Sequence, residues 1–301
     1  MSDPHVVAGV EISKPDKELF PSSDVGPAVT KLDLAHYYES VADVMLPHLK
    51  ARPINMQRFP DGIDKTSFYE KKVPAHFPDF VTTTEVATSE GHQRQVLVED
   101  VRILVYLAQQ ACVTPHAWLC RKDRLDRPDQ LVIDLDPSVP GLPRVRRATR
   151  LVGELLDDLG LRCALKSTGS RGYHVVVPLR RTQSFDDVRA FAREAAQVLV
   201  DRDPDLLTLE ARKAKRGDRV LVDVQRNGYG QTAVPPYAVR ARPGAPVATP
   251  MTWDELDRIR PDQHTIRTIG RRIARGGDPW TELPRAQSLR RPREKLRRLP
   301  R

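Results

Sequence analysis

The middle of this sequence predicts an α/β fold of the α+β kind, with four strands and two helices in the order β-α-β-β-α-β. Three observations predict it. Aliphatic residues recur at a period of two in LVIDLD (131–136) and RVLVDV (219–224). Two apolar stripes at helical spacing lie between them, one over 144–159 and one from Ser184 to about Val200. Turn-forming residues separate these runs, as at Asp136-Pro137, Gly160 and the loop STGSRG (167–172).

Taken in order, the first stretch, to about Glu99, mixes turn signals with short strand-like runs. One amphipathic helix stands out there, from Lys31 to Leu49, with Leu34, Tyr37, Tyr38, Val41, Ala42, Met45 and Leu46 as its apolar stripe. A second helix is expected over Val101 to Gln110. LVIDLD is then the first strand of the regular region. The helix from Arg144 to Leu159 turns Val145, Ala148, Leu151, Val152, Leu155, Leu156 and Leu159 inward, and Gly160 stops it. LRCALK (161–166) and YHVVVPL (173–179) are strands either side of STGSRG. Ser184 with Asp187 three residues on reads as a capping box. The helix it opens buries Val188, Phe191, Ala192, Ala195 and Val198. RVLVDV closes the series. The tail from Arg285 to Arg301 carries seven arginines and one lysine against one glutamate, the pattern of a nucleic-acid arm or of a solvated end.

The bulk properties narrow the class. A chain of 301 residues, 40% hydrophobic and 30% charged, has room for one large domain or two small ones. It shows no internal repeat and no apolar run of membrane-spanning length. MSDPHVVAGVEISK lacks the basic start and apolar stretch of a secretory signal. Cys112, Cys120 and Cys163 form no CxxC pair, which argues against a disulfide framework or zinc ribbon and for a reducing cytoplasm. The formal charge of +9 favours a polyanionic partner.

Topology turns these elements into a site. In a β-α-β-β-α-β sheet the first strand sits centrally, flanked by the third and fourth, both antiparallel to it. Leu131, Ile133 and Leu135 then share one face with Val220, Val222 and Val224, packed on the helices. Asp134, Asp136 and Asp223 are left together on the other face, with His174 at the start of the neighbouring strand. Two like unit charges about 4 Å apart repel by roughly 4 kcal/mol at an effective dielectric of about 20, so such a cluster calls for a cation. All-oxygen ligands suit magnesium or manganese. A pair of such ions about 3.5 to 4 Å apart stabilises the attacking and leaving oxygens of a phosphoryl displacement. The residues alone still leave open that Asp136-Pro137 only ends a strand and that Asp223 is merely exposed.

Other segments are less decisive. The STGSRG loop, with two glycines and Arg171, is either an anion-binding nest beside the aspartates or a plain turn. His116 in TPHAW is a ligand or a structural histidine, and Arg240 in PPYAVRAR a phosphate clamp or a surface charge. FPDGIDKTSFYEKK (59–72) interleaves aromatics with bases. Phe68 and Tyr69 there are placed to stack on a nucleobase, with Lys71 and Lys72 on phosphates, unless one aromatic belongs to the core.

LVIDLDPS, KSTGSRGYHVVVPL, RVLVDVQRN and GQTAVPPYAVRARPGAPVATPMTWDEL resemble the polymerase domain of bacterial DNA ligase D, a branch of the archaeo-eukaryotic primase superfamily. The resemblance runs from about Ile12 to Trp280 and takes in KPDKELFP, LPHLKARP and RFPDGIDKTSFYEKK. It implies a primase-type fold: an RRM-like, ferredoxin-like catalytic module of about residues 126–284 on an N-terminal αβ module of about residues 1–125, followed by the basic tail, 285–301. It implies template-dependent addition of nucleotides to a 3′ end, with manganese favoured over magnesium and ribonucleotides often preferred. Asp134, Asp136 and Asp223 match the metal-binding triad. His116, Thr168, Arg171 and Arg240 match residues that hold the incoming nucleotide, and His174 joins that side of the patch. Lys17 and Lys31 match a pocket for a 5′-phosphate, Phe68 and Tyr69 match template-stacking aromatics beside Lys71, and Arg216 falls in a basic loop that holds DNA ends or primer.

Four positions depart from the usual pattern: Thr168 for serine, Arg171 for lysine, Gln57 for a base and Arg226 for glutamine. The last two bear on nucleotide and 5′-phosphate affinity. With no ligase or phosphoesterase module in the 301 residues, the expectation is a stand-alone homologue or an excised domain. The function this implies is gap filling, end joining or priming on gapped, primed or broken DNA with nucleoside triphosphates. Ku or a ligase is a candidate partner, and the nucleoid of the cytoplasm the place. A metal-dependent nuclease and a non-catalytic DNA-end binding module are the rival readings; a triphosphate loop beside the triad favours the polymerase.

Overall fold

The computed structural model describes residues 5–283 and 285–299. The chain divides into two compact units. The first comprises Met1–Asp123, Thr232–Thr249 and Asp262–Asp278, and the second Arg124–Gln231, Pro250–Pro261 and Pro279–Arg301. The boundary expected near residue 125 is therefore only the first of several crossings, since two later segments return to the first unit.

In chain order the elements begin with four short strands, β1 (Val6–Val7), β2 (Val10–Glu11), β3 (Glu18–Phe20) and β4 (Val29–Thr30). Next come α1 (Lys31–Ser40), α2 (Ala42–Leu49), β5 (Pro53–Arg58), β6 (Phe68–Glu70), β7 (Thr83–Thr88), β8 (Gly91–Leu97), α3 (Val101–Gln109) and β9 (Cys112–Trp118). The regular region holds β10 (Gln130–Pro137), α4 (Leu142–Asp158), β11 (Ala164–Ser167), β12 (Tyr173–Pro178), α5 (Phe185–Arg202), β13 (Leu207–Thr208) and β14 (Val220–Asp223). After it lie β15 (Thr232–Ala233), β16 (Pro250–Met251), α6 (Ile269–Gly276) and α7 (Arg290–Leu296).

The first unit is built on a sheet ordered β15-β9-β5-β8-β7, with β6 added on β5. The single helix predicted over 31–49 is two, because Val41 leaves helical geometry (φ −106°, ψ 6°) and the Ser40 hydroxyl donates to the Tyr37 carbonyl at 2.7 Å. The apolar stripe nonetheless faces the core: Leu34, Tyr37, Tyr38, Val41 and Met45 are all buried. The buried tyrosine hydroxyls find carbonyls, Tyr37 that of Tyr237 at 2.7 Å and Tyr38 that of Val113 at 2.6 Å, as buried donors must.

The second unit has the predicted order. Its sheet runs β13-β14-β10-β12-β11-β16, with β10 central and antiparallel to both β12 and β14. Leu131, Ile133, Leu135, Val175, Val177, Val220 and Val222 pack in one cluster with the apolar stripes of α4 and α5. Gly160 ends α4 with φ 81°, and Ser184 and Asp187 form the complete capping box of α5. β11 begins three residues later than expected, because the backbone of Arg162 is held by a side chain. Its N–H donates to Gln287 Oε1 at 2.9 Å and its carbonyl accepts from Gln287 Nε2 at 2.7 Å. The basic tail holds α7, where Leu289 and Leu296 enter the core and Arg293 donates to the Asp187 carbonyl at 2.6 Å; Pro300 and Arg301 lie outside the described residues. Among the described residues no helix is long and apolar enough to cross a membrane.

β10 carries the two aspartates of LVIDLD and is pinned at its start by buried Asn227. The amide donates to the Val132 carbonyl at 2.7 Å and the Val224 carbonyl at 2.9 Å, while its oxygen accepts from Val132 N–H at 2.8 Å. Asn227→Ala strands these buried partners, each at about 1 to 3 kcal/mol. Thermal unfolding should show a loss of roughly 2 to 4 kcal/mol; an unshifted transition would remove Asn227 from this role.

Candidate active site

The register of three strands assembles the acidic patch. Asp134 on β10 lies directly opposite His174 on β12 and Asp223 on β14, and Lys166 on β11 lies opposite His174. Directly paired residues point to the same face, with Cβ atoms about 4.5 to 5.5 Å apart. Lys166, His174, Asp134 and Asp223 thus form one row across four strands, and Asp136 stands two residues on from Asp134 on the same face. Ile133, Val175 and Leu165 form the next row and face the helices.

Each carboxylate has a different environment. Asp134 is nearly buried, 3.4 Å from His174 Nε2 and 3.6 Å from Arg226 Nη2. Burial pushes its carboxyl up, but His174, Arg226 and Lys166 outweigh that and hold it far below the usual range. Burial, helped by Lys166 and opposed by Asp134, brings the His174 imidazole down to about 4. His174 is therefore neutral near pH 7. Its Nδ1 has no hydrogen-bond partner, so the pairing assigns the proton to Nε2, donated to Asp134. Burial raises the Asp223 carboxyl; the bond from the Gln225 N–H opposes the rise and Asp134 adds to it. Asp136 is gripped by two guanidiniums, Arg171 Nη2 at 3.1 Å and Arg216 Nη1 at 3.2 Å. Arg216 is buried, held by the carbonyls of Glu210 at 2.8 Å and Ala211 at 2.6 Å.

The STGSRG loop is a closed turn. Thr168 N–H and Oγ1 both donate to the Gly172 carbonyl at 3.0 Å, and Gly172 N–H donates to Thr168 Oγ1 at 3.3 Å. Gly169 takes φ 64°, and Gly172 has no room for a side chain, since a Cβ there would lie 1.8 Å from the Leu135 carbonyl oxygen. This close approach brings Thr168 and Arg171 to the end of β10.

The other predicted residues lie in the first unit. His116 on β9 donates from Nε2 to Gln57 Oε1 at 3.2 Å and meets Tyr69 edge-on, ring centroids 5.3 Å apart. Phe68 and Tyr69 on β6 are both exposed, at 44% and 53%, so neither is core; Arg58 lies over the Phe68 ring at 5.6 Å. Lys71 is exposed just past β6, and Arg240 is half-buried. Lys17 and Lys31 come together through the bond from Lys31 N–H to the Lys17 carbonyl at 2.8 Å. The Lys31 ammonium donates to Ser13 Oγ at 3.2 Å, and that of Lys17 pairs with Asp61 at 2.9 Å. Burial first, then the charges of Lys17 and Lys14, lower the Lys31 ammonium.

Three residues of these clusters lie outside the site expected from sequence, Arg226 being marked there only as a departure from the family pattern. Lys14 shares KPDK with Lys17. Lys166 sits at a polar position of β11, readable only once the register is known. Arg226 lies in the turn after β14, where no period applies.

The patch is chemically suited to a hard divalent cation, with three carboxylates from adjacent strands on one face and only oxygen donors among them. Among the described residues no three His, Cys, Asp or Glu side chains stand close enough to hold an ion as they are; guanidiniums balance the carboxylate charge. The pH dependence of stability follows. His174 has its native pKa lowered, so the unfolded chain binds the extra proton between pH about 6.5 and about 4, and stability falls with pH over that window. Asp134, also lowered, loses its contribution only below about pH 4. Equilibrium unfolding of His174→Gln should lack the first loss, worth up to about 1.4 kcal/mol per pH unit, and keep the second; an unchanged profile would contradict the neutral imidazole.

Comparison with known proteins places these features. The family model "LigD, primase-polymerase domain" matches residues 30–280. A multifunctional non-homologous end joining protein LigD of Pseudomonas aeruginosa is 35% identical over 280 residues, 91% of this chain and 33% of that protein. A bifunctional LigD of Bacillus subtilis is 30% identical over 260 residues, 85% of this chain and 42% of that protein. The chain thus spans well under half the length of these relatives. Among solved structures, the polymerase domain of Mycobacterium tuberculosis ligase D in complex with DNA superposes with a TM-score of 0.83 at 31% identity, over 91% of this chain and 99% of that one.

Proposed function

Since this chain belongs to the LigD primase-polymerase domain family, whose members are nucleotidyltransferases, we propose that it extends the 3′ end of a DNA-bound strand from nucleoside triphosphates, with Asp134, Asp136 and Asp223 as ligands of divalent cations. The observation that carries this reading is the register that sets Asp134 opposite Asp223 with Asp136 on the same face. Manganese or magnesium, probed as a pair of ions, would supply Lewis-acid stabilisation of the attacking and leaving oxygens. The protein's own part is positioning. His174 fixes the Asp134 carboxylate by donating from Nε2, and Arg216 and Arg171 hold Asp136. Thr168 and Arg171, at the end of β10, face the triphosphate, with Arg226 beside Asp134; in the first unit, His116 and Arg240 match nucleotide-holding positions of the family pattern. Phe68, Tyr69 and Lys71 take the template, and Arg216 with its basic loop the primer end.

Neutralising the triad carries the test. Asp134→Ala, Asp136→Ala and Asp223→Ala should each reduce primer extension on a gapped duplex to background while circular dichroism stays native. Extension by the triple variant would end the polymerase reading and reopen that of a nuclease or an end-binding module.

The role in repair rests on the cluster of Lys14, Lys17 and Lys31 at the start of α1, where helix amides and ammonium groups favour an anion. We assign it a 5′-phosphate at a gap or break, which supports end joining beside Ku or a ligase in the nucleoid. A gap bearing a 5′-phosphate should bind more tightly than one ending in a hydroxyl by about 1 to 3 kcal/mol. Because the Lys31 ammonium is lowered, this preference should fade on raising the pH sooner than an ordinary lysine would allow. Lys17→Ala/Lys31→Ala should erase it and leave nucleotide KM unchanged; equal binding of both gaps by the unaltered protein would favour priming.

A further inference from the structure

A groove of about 680 Å³ opens in the second unit between α4, the start of β11 and the segments 251–256 and 279–283. Leu165 and Met251, paired across β11 and β16, lie beneath it. Leu165 belongs to the row of Ile133 and Val175, so the groove is on the helix-bearing face, opposite the aspartates. Its size is that of a ligand-binding cleft.

Two indoles line it. Trp253 donates to the Cys163 carbonyl at 3.1 Å and Trp280 to that of Leu165 at 2.9 Å. Both rings are thus fixed to β11 and its approach, and their polar edges are satisfied. The helix accommodates one of them: Gly153 lies inside α4, and a Cβ there would fall 2.6 Å from Trp253 Cη2. A glycine within a helix costs about 1 kcal/mol relative to alanine, and what that cost gives here is the seat of Trp253.

The rim has the opposite sign to the chain. Glu154, Asp157, Asp254 and Glu282 border the groove against Arg150 and Arg162, and Arg150 is already paired with Asp257. A surplus of carboxylates therefore rings an apolar groove on a chain of net charge +9. Phosphodiesters are repelled here, whereas lysine or arginine is attracted to the rim and to the half-buried Trp253 ring.

We propose that this groove docks a partner protein through a cationic peptide segment with a single aliphatic or aromatic anchor. The anchor fills the space beside Trp253 and Trp280, and flanking lysines or arginines meet Glu154, Asp157, Asp254 and Glu282. The surface is separate from the nucleotidyl-transfer patch, so it recruits a partner without occupying the site of chemistry.

The test is selection of a phage-displayed random dodecapeptide library on the full chain, followed by titration of the enriched peptides by tryptophan fluorescence at low and high salt. Enrichment of lysine and arginine around one apolar residue is expected, with salt-sensitive binding weakened about tenfold or more by Glu154→Lys/Asp157→Lys. Asp254→Lys/Glu282→Lys, on the other walls of the groove, should do the same. Both variants should keep the thermal transition and primer extension of the unaltered protein, which separates failure here from failure of the polymerase reading. No enrichment, an acidic or uncharged consensus, or equal binding by both rim variants would overturn the proposal. So would sedimentation showing a dimer abolished by the same variants, which would make a second copy the occupant.

Discussion

The structure of the second unit turns on one electrostatic problem, the confinement of Asp134, Asp136 and Asp223 to a single face of two adjacent strands. Asp134 is nearly buried and directly opposite Asp223, an arrangement that water cannot screen. The surroundings answer with cations and donors of graded kinds. A neutral imidazole donates to Asp134, Arg226 and Lys166 act on it at longer range, and Arg171 and Arg216 close on Asp136. Much of the local architecture serves this balance. Gly172 lets the Thr168–Arg171 turn press against β10, and the carbonyls of Glu210 and Ala211 hold Arg216 in place.

This arrangement also links fold to chemistry. The aliphatic rows of the same strands form the core with α4 and α5, so the acidic face is anchored to the most regular part of the unit. Asn227 fixes the start of β10 from the turn that also carries Arg226. The guanidiniums paired with Asp134 and Asp136 are a charge arrangement that a divalent ion could take over under the proposed function, freeing groups suited to phosphate.

Much of this was legible in the sequence, for definite reasons. A period of two separates Asp134 and Asp136 from Leu131, Ile133 and Leu135 without ambiguity, and the β-α-β-β-α-β order then brings Asp223 alongside. Capping chemistry at Ser184 and Asp187 is local and therefore readable. Long-range constraints were not. β13 and β16 are two-residue strands that exist only because a sheet edge is there to pair with. The tail reads as charge, yet Leu289 and Leu296, seven apart, place a helix on the core. Lys166 gains significance only from its register with His174, and the return of Thr232–Thr249 and Asp262–Asp278 to the first unit has no periodic signature. The resemblance supplied roles for Lys17, Lys31, His116 and Arg240 that spacing could not.

The central claim is that the three aspartates form one divalent-cation site whose charge the neighbouring guanidiniums otherwise balance. Electron paramagnetic resonance of manganese titrated into the protein, without DNA or nucleotide, tests it most directly. The unaltered chain should bind manganese, Asp223→Asn and Asp136→Asn should each lose most of that binding, and Asp61→Asn, an exposed carboxylate paired with Lys17, should lose none. Equal manganese binding by all four proteins would contradict the account.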